Sequence, residues 1–234
     1  MEIPELGVCD TILSKKRDNC PMTLFSFSLT RPKPLRRSVQ ISESHCGPAV
    51  MQMLLANLGI EVSQQQVAAA GGALYTLEAH GMRVDQLAQA VKRLAPNVQF
   101  WSKSHANLDD LILLVNQYRY PVGVEWQGSF MTPEEEQKAY ADGVDEFGHY
   151  SIISHIDEAR HELILTDPYQ DFASKDRIFT YREFLPRWWD TNEVIDPATR
   201  KPYLQEDTRA LFVVTPLHAT FPTLLKMKPG GNLR

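Results

Sequence analysis

The sequence predicts an α+β fold, in which a helical half packs on an antiparallel sheet. Four segments before residue 118 carry helix signals, whereas most later segments carry strand signals. Helices first and strands afterwards are typical of an α+β domain and not of alternating βαβ units. A chain of 234 residues, 43% of them hydrophobic, can bury a core without disulfides. We therefore predict one domain with extensions at both ends.

Three parts of the chain differ in their sequence patterns. Residues 1–37 lack sustained periodicity and end in a basic stretch with two prolines, so we predict an N-terminal arm. Residues 38–216 hold the periodic segments and form the predicted domain. Residues 217–234 form a C-terminal tail, and we expect its last part, 227–234, to fray because it is rich in Gly and Pro.

Each helix of the first half has its own start or stop signal. The segment Gly47–Leu58 has a proline in its first turn and Gly59 as its stop. A capping box made by Ser63 and Gln66 opens a short second helix. Two further helices are predicted downstream: Arg83–Ala95 and Leu108–Gln117.

The second half shows the patterns of strands. The predicted strands are Pro121–Trp126, His149–Ile156, Glu162–Thr166 and Ala210–Val214. Residues 157–161 would make the turn of an antiparallel hairpin between the two middle strands. Two capping boxes, Thr132 with Glu135 and Thr180 with Glu183, open short helices between the strands. We expect Trp188 and Trp189 at the end of the second of these helices; like Trp126 in its strand, they could line a substrate groove but are more often core.

Composition and charge exclude several classes of function. The 24 Lys and Arg residues stand against 29 Asp and Glu residues, which speaks against a nucleic-acid-binding surface or a membrane-binding basic patch. No apolar run approaches the roughly 18–20 residues of a membrane span. The three cysteines, Cys9, Cys20 and Cys46, include no CxxC pair, so neither a disulfide framework nor a metal site is predicted. We expect a cytoplasmic protein without a cofactor.

Cys46 is the first candidate for chemistry. It directly precedes Gly47, Pro48 and the apolar helix, so we expect its sulfur at the helix N-terminus. The partial positive charge of a helix N-terminus stabilises a thiolate, which is the nucleophilic form of cysteine. The alternative is a small buried hydrophobic residue, as most lone cysteines are.

Three other residues complete a candidate catalytic set. His149 opens a predicted strand, where an imidazole can accept a thiol proton and return it to a leaving amine. Asp167 ends the next strand, so we expect it to accept the Nδ1–H of His149 and fix the tautomer. Gln40, six residues before Cys46, can donate to an oxyanion beside the backbone N–H at the helix start. Each residue alone has an ordinary structural alternative, but the ordered set of four favours catalysis.

The motifs around these residues resemble a known family. The matching segments are 40–49, with the pattern Gln-x5-Cys-Gly-Pro-Ala, then 148–150 and 166–169. They resemble family thirty-nine of the papain-like cysteine peptidases, which includes bacteriocin-processing domains that cut double-glycine leader peptides. The resemblance extends from about Val39 to Pro216 and implies a papain-like α+β fold. Because no GxxxxGK[ST] motif is present, we expect a stand-alone relative, for which leader-peptide specificity does not follow.

The resemblance implies a role for each of the four residues. Cys46 would be the nucleophile and His149 the general base and acid, while Asp167 would orient the imidazole and Gln40 would donate to the oxyanion hole. The implied activity is hydrolysis of a peptide or amide substrate through a thioester. Two alternatives stay open: a thiol acyltransferase or transamidase with the same residues, and a peptide-binding module without turnover.

The segment Met131–Phe147 departs from the family pattern. It places six acidic residues and one Lys138 just before His149. An insertion before a catalytic strand would overhang the cleft, and its negative potential would favour Lys or Arg near the scissile bond. We therefore predict a mobile lid or rim that prefers basic substrates. The alternative is a solvated acidic helix.

Overall fold

The computed structural model describes residues 35–144 and 147–233. The predicted arm, 1–37, lies almost wholly outside the described residues. The described residues all fall within one unit of the chain, Pro32–Arg234. Within them, no helix is both long enough and apolar enough to cross a membrane.

The helices lie mostly in the first half of the described chain. They are α1 (Cys46–Asn57), α2 (Gln64–Ala70), α3 (Leu77–His80), α4 (Val84–Leu94), α5 (Leu108–Ile112), α6 (Pro133–Ala141) and α7 (Tyr181–Phe184). A π-helical turn, Leu113–Gln117, continues α5. Short 3-10 turns occupy Leu185–Arg187 and Thr223–Leu225.

The strands lie mostly in the second half. They are β1 (Val98–Lys103), β2 (Val122–Gln127), β3 (Gly148–Asp157), β4 (Glu162–Thr166), β5 (Asp176–Thr180), β6 (Trp189–Ile195), β7 (Pro202–Thr208), β8 (Leu211–Pro216) and β9 (Lys228–Pro229). Seven of them form one antiparallel sheet in the order β5-β4-β3-β2-β8-β1-β9, and β6 and β7 form a separate hairpin. This mixture of helices and antiparallel sheet confirms the predicted α+β class.

Helices α1, α2 and α4 form where the sequence predicts them, whereas the short helix α3 was not predicted. Most of α1 is apolar, and it is buried along nearly its whole length. The capping box opens α2, where the Ser63 hydroxyl accepts from the Gln66 N–H at 3.1 Å and the Gln66 amide accepts from the Ser63 N–H at 2.8 Å. Helix α4 is amphipathic, so its apolar face turns to the core and its charged face to solvent.

Two hydrophobic cores cover the two faces of the sheet. The first lies between the sheet and helices α1, α2 and α4, and includes the stacked pair Phe100 and Phe212 with ring centroids 5.3 Å apart. The second includes Trp126 and Trp188, which are buried in it and so form core and not a substrate groove. Because side chains alternate along a strand, β3 supplies residues to both cores.

Three expectations about the elements are wrong. Strand β1 precedes residue 118, in a part expected to be helical only, because it is held beside β8, with Phe100 opposite Val214. Trp189, expected at a helix end, starts strand β6 opposite Thr208. Residues 228–230, expected to fray, are held in place, since β9 pairs with β1 and the Gly230 N–H donates to the Phe100 carbonyl at 2.8 Å. In each case the partner that fixes the segment is distant in sequence.

Candidate active site

Cys46 is the first residue of α1, and its thiol is free. The Ala49 N–H donates to the His45 carbonyl at 2.9 Å, so the N–H groups of Cys46 and Gly47 precede the first intrahelical hydrogen bond. Those two donors point out of the helix end, where negative charge is stabilised. The Tyr150 ring of β3 packs against this end of the helix, where even a Cβ on Gly47 would be 3.4 Å from the ring, in ordinary contact.

His149 stands between Cys46 and Asp167. Its Nε2 lies 2.8 Å from Oδ1 of Asp167, and the Cys46 side chain is close enough to help raise the pKa of the ring. Since Asp167 occupies Nε2, Nδ1 is the ring nitrogen left for the thiol. The Phe130 ring meets the imidazole edge-on at 4.9 Å and holds its plane. The structure thus brings three of the four predicted site residues together.

One expectation about this geometry is wrong. The sequence-based interpretation assigned the Nδ1–H of His149 to Asp167, whereas the structure assigns Nε2. Asp167 follows directly on β4, next to β3, while Cys46 reaches the ring from α1. The imidazole is therefore turned with Nε2 toward the sheet neighbour and Nδ1 toward the helix.

Asp167 is completely buried and accepts hydrogen bonds from four donors. Its Oδ1 faces His149 and also accepts from the Tyr169 N–H at 2.9 Å. Its Oδ2 accepts from the Ser151 hydroxyl at 3.1 Å and from Nη1 of Arg177 at 2.7 Å. A carboxylate with this many donors is held in its ionised form and in one orientation.

These contacts shift the pKa values of His149 and Asp167 in opposite directions. Burial would lower the pKa of His149, but the Asp167 charge, the hydrogen bond to it and the Cys46 side chain outweigh burial and raise that pKa to about 9. Burial would raise the pKa of Asp167, but the charge and hydrogen bond of His149, the Tyr169 N–H and Arg177 lower it to about 2. At neutral pH the pair is therefore an imidazolium and a carboxylate.

Arg177 is a site residue that the sequence analysis missed. It is buried on β5, where its guanidinium lies over the Phe172 ring, 3.9 Å from the centroid, and also bonds the Ser129 carbonyl. Arg177 contacts Asp167 because β4 and β5 pair in the sheet. No local pattern in the sequence marks it, since β5 itself was not predicted.

Gln40 lies at the edge of this group, with its side-chain amide turned to the loop between Gln40 and α1. Its backbone N–H donates to the Pro168 carbonyl at 2.8 Å, which ties it to the residue after Asp167. Its side-chain Nε2 donates to the carbonyls of Ser42 at 2.9 Å and Glu43 at 3.2 Å. Both amide hydrogens are therefore engaged, and donation to an oxyanion stays a prediction.

A cavity of about 670 Å³ opens beside Cys46. Its wall includes Glu125, Tyr150 and Asp190, three residues that the sequence analysis did not single out. Glu125 could have been identified from the sequence, because a carboxylate in the middle of an otherwise apolar strand, 122–126, requires a specific partner. The cavity provides room for a substrate next to the thiol.

The acidic segment before His149 does not form the wall of this cavity. It folds as α6 from the predicted cap, Thr132, and is exposed or half-buried along its length. The Glu136 carboxylate pairs with Arg187 through contacts of 2.6 and 2.5 Å. None of the described residues from 131 to 147 lines the cavity. The expected acidic rim is thus not supported, and α6 fits the alternative of a solvated acidic helix.

Because the pKa of His149 is raised in the folded protein, the stability of the fold is expected to depend on pH. The folded pKa of about 9 exceeds the ordinary value of 6.5, so this stabilisation is complete below about pH 6.5 and is lost as the pH rises toward 9. Urea unfolding between pH 6 and 9.5 should show this decline in the free energy of unfolding. In His149→Gln the part of the decline that comes from His149 should be missing. Identical pH slopes for the two proteins would contradict the assigned ion pair.

The comparisons with known proteins agree with this fold. The sequence matches the Peptidase_C39 like family over residues 33–195, which is more than half of the chain. No curated protein matches it significantly. The peptidase domain of Streptococcus ComA, described as a bifunctional ABC transporter involved in quorum sensing, is similar at 16% identity with a TM-score of 0.50, over 78% of this chain and 98% of that one.

A second solved structure is a double glycine motif protease from an AMS/PCAT transporter in complex with the leader peptide. It is similar at 14% identity with a TM-score of 0.49, over 80% of this chain and 94% of that one. The family match confirms the resemblance found in the motifs around Cys46, His149 and Asp167. The chain belongs to the Peptidase_C39 like family.

Proposed function

We propose that the protein is a cysteine-dependent hydrolase that acts on peptide or amide bonds. The observation that carries this proposal is the position of His149, whose Nε2 lies 2.8 Å from Asp167 and whose pKa is raised by Asp167 and by the nearby Cys46 side chain. Membership in a peptidase-like family favours a peptide as the substrate. The chemistry requires a reduced thiol, which supports a reducing compartment such as the cytoplasm.

The proposed reaction begins with a thiolate on Cys46 and an imidazolium on His149. The thiolate attacks the carbonyl carbon, and the oxyanion that forms accepts from the Cys46 N–H at the start of α1. Nδ1 of His149 then gives its proton to the leaving amine, which departs and leaves a thioester. Neutral His149 next takes a proton from water, and the resulting attack releases the carboxylic acid and restores the ion pair.

Asp167 contributes by holding His149 and does not itself react. Its carboxylate accepts from Nε2 and stabilises the imidazolium that exists before attack and again after hydrolysis. For Gln40 to join the oxyanion hole, its side-chain amide must give up one of the two hydrogen bonds that it donates and donate to the oxyanion instead. We expect it to give up the longer hydrogen bond, which is 3.2 Å to the Glu43 carbonyl.

A peptide-library digest read by mass spectrometry tests the proposed function. We expect cleavage products with the natural protein and none with Cys46→Ala. Adding primary amines separates the two chemistries, because a hydrolase yields carboxylic acids and an acyltransferase yields new amides. Binding of peptides without products in either condition would favour the non-catalytic module and overturn the proposal.

A further inference from the structure

The cavity beside Cys46 has an acidic lining. Five carboxyl groups contribute to it, from Glu43, Glu78, Glu125, Asp190 and Glu193. The basic side chains in the wall belong to Arg83 and His80. The Arg83 guanidinium is engaged with Asp85 through two contacts of 3.0 Å, so its charge is largely compensated outside the cavity. The cavity therefore presents a negative potential to a ligand.

Glu125 forms the deepest part of this acidic lining. It lies on β2, is 0% exposed, and its Oε1 accepts from the Tyr150 hydroxyl at 2.5 Å and from Nδ2 of Asn192 at 3.1 Å. Its other oxygen, Oε2, is buried and finds no donor among the described residues. A buried carboxylate oxygen without a donor is costly, so it is expected to have a partner that binds in the cavity.

Asp190 lies against Glu125 at the start of the β6–β7 hairpin. Burial raises the pKa of Glu125 to about 7, so this carboxyl group can hold either a proton or a negative charge near neutral pH. Asp190 also accepts from Nε2 of Gln127 at 3.0 Å and packs on Gly148, where a Cβ would come within 2.5 Å of its Oδ1. Two facing carboxyl groups can be satisfied by a shared proton or by a cation.

We propose that Glu125 and Asp190 form the floor of a subsite that binds a cationic group of the substrate, a guanidinium or a protonated amine. The inference rests on the proposed function and adds a substrate class to it. Such a group brings the N–H donors that Oε2 of Glu125 lacks. Asp190 is 6% exposed and Glu125 is 0% exposed, so the cation meets Asp190 first, with the Glu125 carboxyl group beneath it.

This subsite differs from the acidic rim predicted from the sequence. The preference for a basic group is the same, but the carboxylates come from β2 and β6 and not from α6. The cationic group can belong to a Lys or Arg side chain or to the free N-terminus of a peptide. The volume of about 670 Å³ accommodates either one next to the thiol.

Peptide binding to the Cys46→Ala protein tests the subsite without requiring turnover. The probes are acetylated hexapeptide amides with Arg or its uncharged analogue citrulline fixed at each position in turn, together with the same peptides bearing a free N-terminus. At one position we expect Arg to bind at least about tenfold more tightly than citrulline. If the free amine is the ligand, removing the acetyl group should give that gain instead.

Variants then locate the effect. Asp190→Asn and Glu125→Gln, each added to Cys46→Ala, should reduce the ratio of the two affinities to about twofold or less. Glu134→Gln, on exposed α6, is the matched control and should leave the ratio unchanged. If Glu125→Gln does not fold, Asp190→Asn alone decides, and circular dichroism reports the folded state of each variant.

The outcomes distinguish failure of the subsite from failure of the proposed function. Equal affinities for the charged and uncharged peptides at every position and at the N-terminus would overturn the subsite. A ratio that Asp190→Asn does not change, or that Glu134→Gln abolishes, would overturn it as well. Failure of a neutral peptidyl vinyl sulfone to label Cys46 would count against the hydrolase, while a charge-dependent affinity would still support the subsite.

Discussion

Replacing Asp167 by asparagine is expected to lower the reactivity of Cys46 and to destabilise the fold. The carboxylate accepts from four donors, and an amide offers only one oxygen and adds two hydrogens of its own. Arg177 would be left buried with an uncompensated charge, which costs about 3–5 kcal/mol. Loss of the orienting carboxylate should reduce turnover by a factor of about 10⁴.

Urea unfolding and the rate of Cys46 labelling measure these two effects of Asp167→Asn separately. Asp171→Asn is the matched control, because it changes the same chemical group four residues away at an exposed position. We expect the control to retain full stability within about 0.5 kcal/mol. A stable, fully reactive Asp167→Asn protein would contradict the assigned network around the carboxylate.

Replacing His149 by glutamine is expected to abolish turnover with a smaller loss of stability. Asp167 keeps three of its donors, those from Tyr169, Ser151 and Arg177, so the buried charges remain paired. The thiol, however, loses both its ion-pair partner and the acid that protonates the leaving amine. Because the members of such a set act together, we expect turnover to fall by a factor of at least about 10³.

The comparison of His149→Gln with Asp167→Asn separates catalysis from structure. Both variants should be inactive, but only Asp167→Asn should be strongly destabilised in urea unfolding. His155→Gln provides a matched control on the same strand, and it should retain turnover because it lies at the far end of β3 from Cys46. Equal turnover in His149→Gln and the unmodified protein would refute a role for this imidazole.

Local signals in the sequence were sufficient for much of the fold and for the core of the site. The capping boxes before α2, α6 and α7 each form as predicted, because the two residues that make each box are only three positions apart. Cys46 and His149 could be singled out because each stands at the start of a strongly patterned element. Asp167 followed from the hairpin between β3 and β4, which is itself a local structure.

The remaining features depend on partners distant in sequence. Arg177 reaches Asp167 only because β5 adds to the edge of β4, and the weak pattern of β5 does not predict that strand. Glu125 and Asp190 lie 65 positions apart and meet because the β6–β7 hairpin packs beside β2. The orientation of the His149 ring depends on α1, Phe130 and Asp167 together, so strand order alone assigned the wrong nitrogen to Asp167.

The rate of iodoacetamide alkylation at Cys46, measured site by site with mass spectrometry at about pH 6, tests the central claim most directly. The account predicts that Cys46 alkylates much faster than Cys9 and Cys20, because Cys46 has the His149 ring nearby and begins the helix α1. It also predicts that His149→Gln removes most of this advantage. Equal rates at the three cysteines, or a Cys46 rate that His149→Gln does not change, would contradict an activated nucleophile.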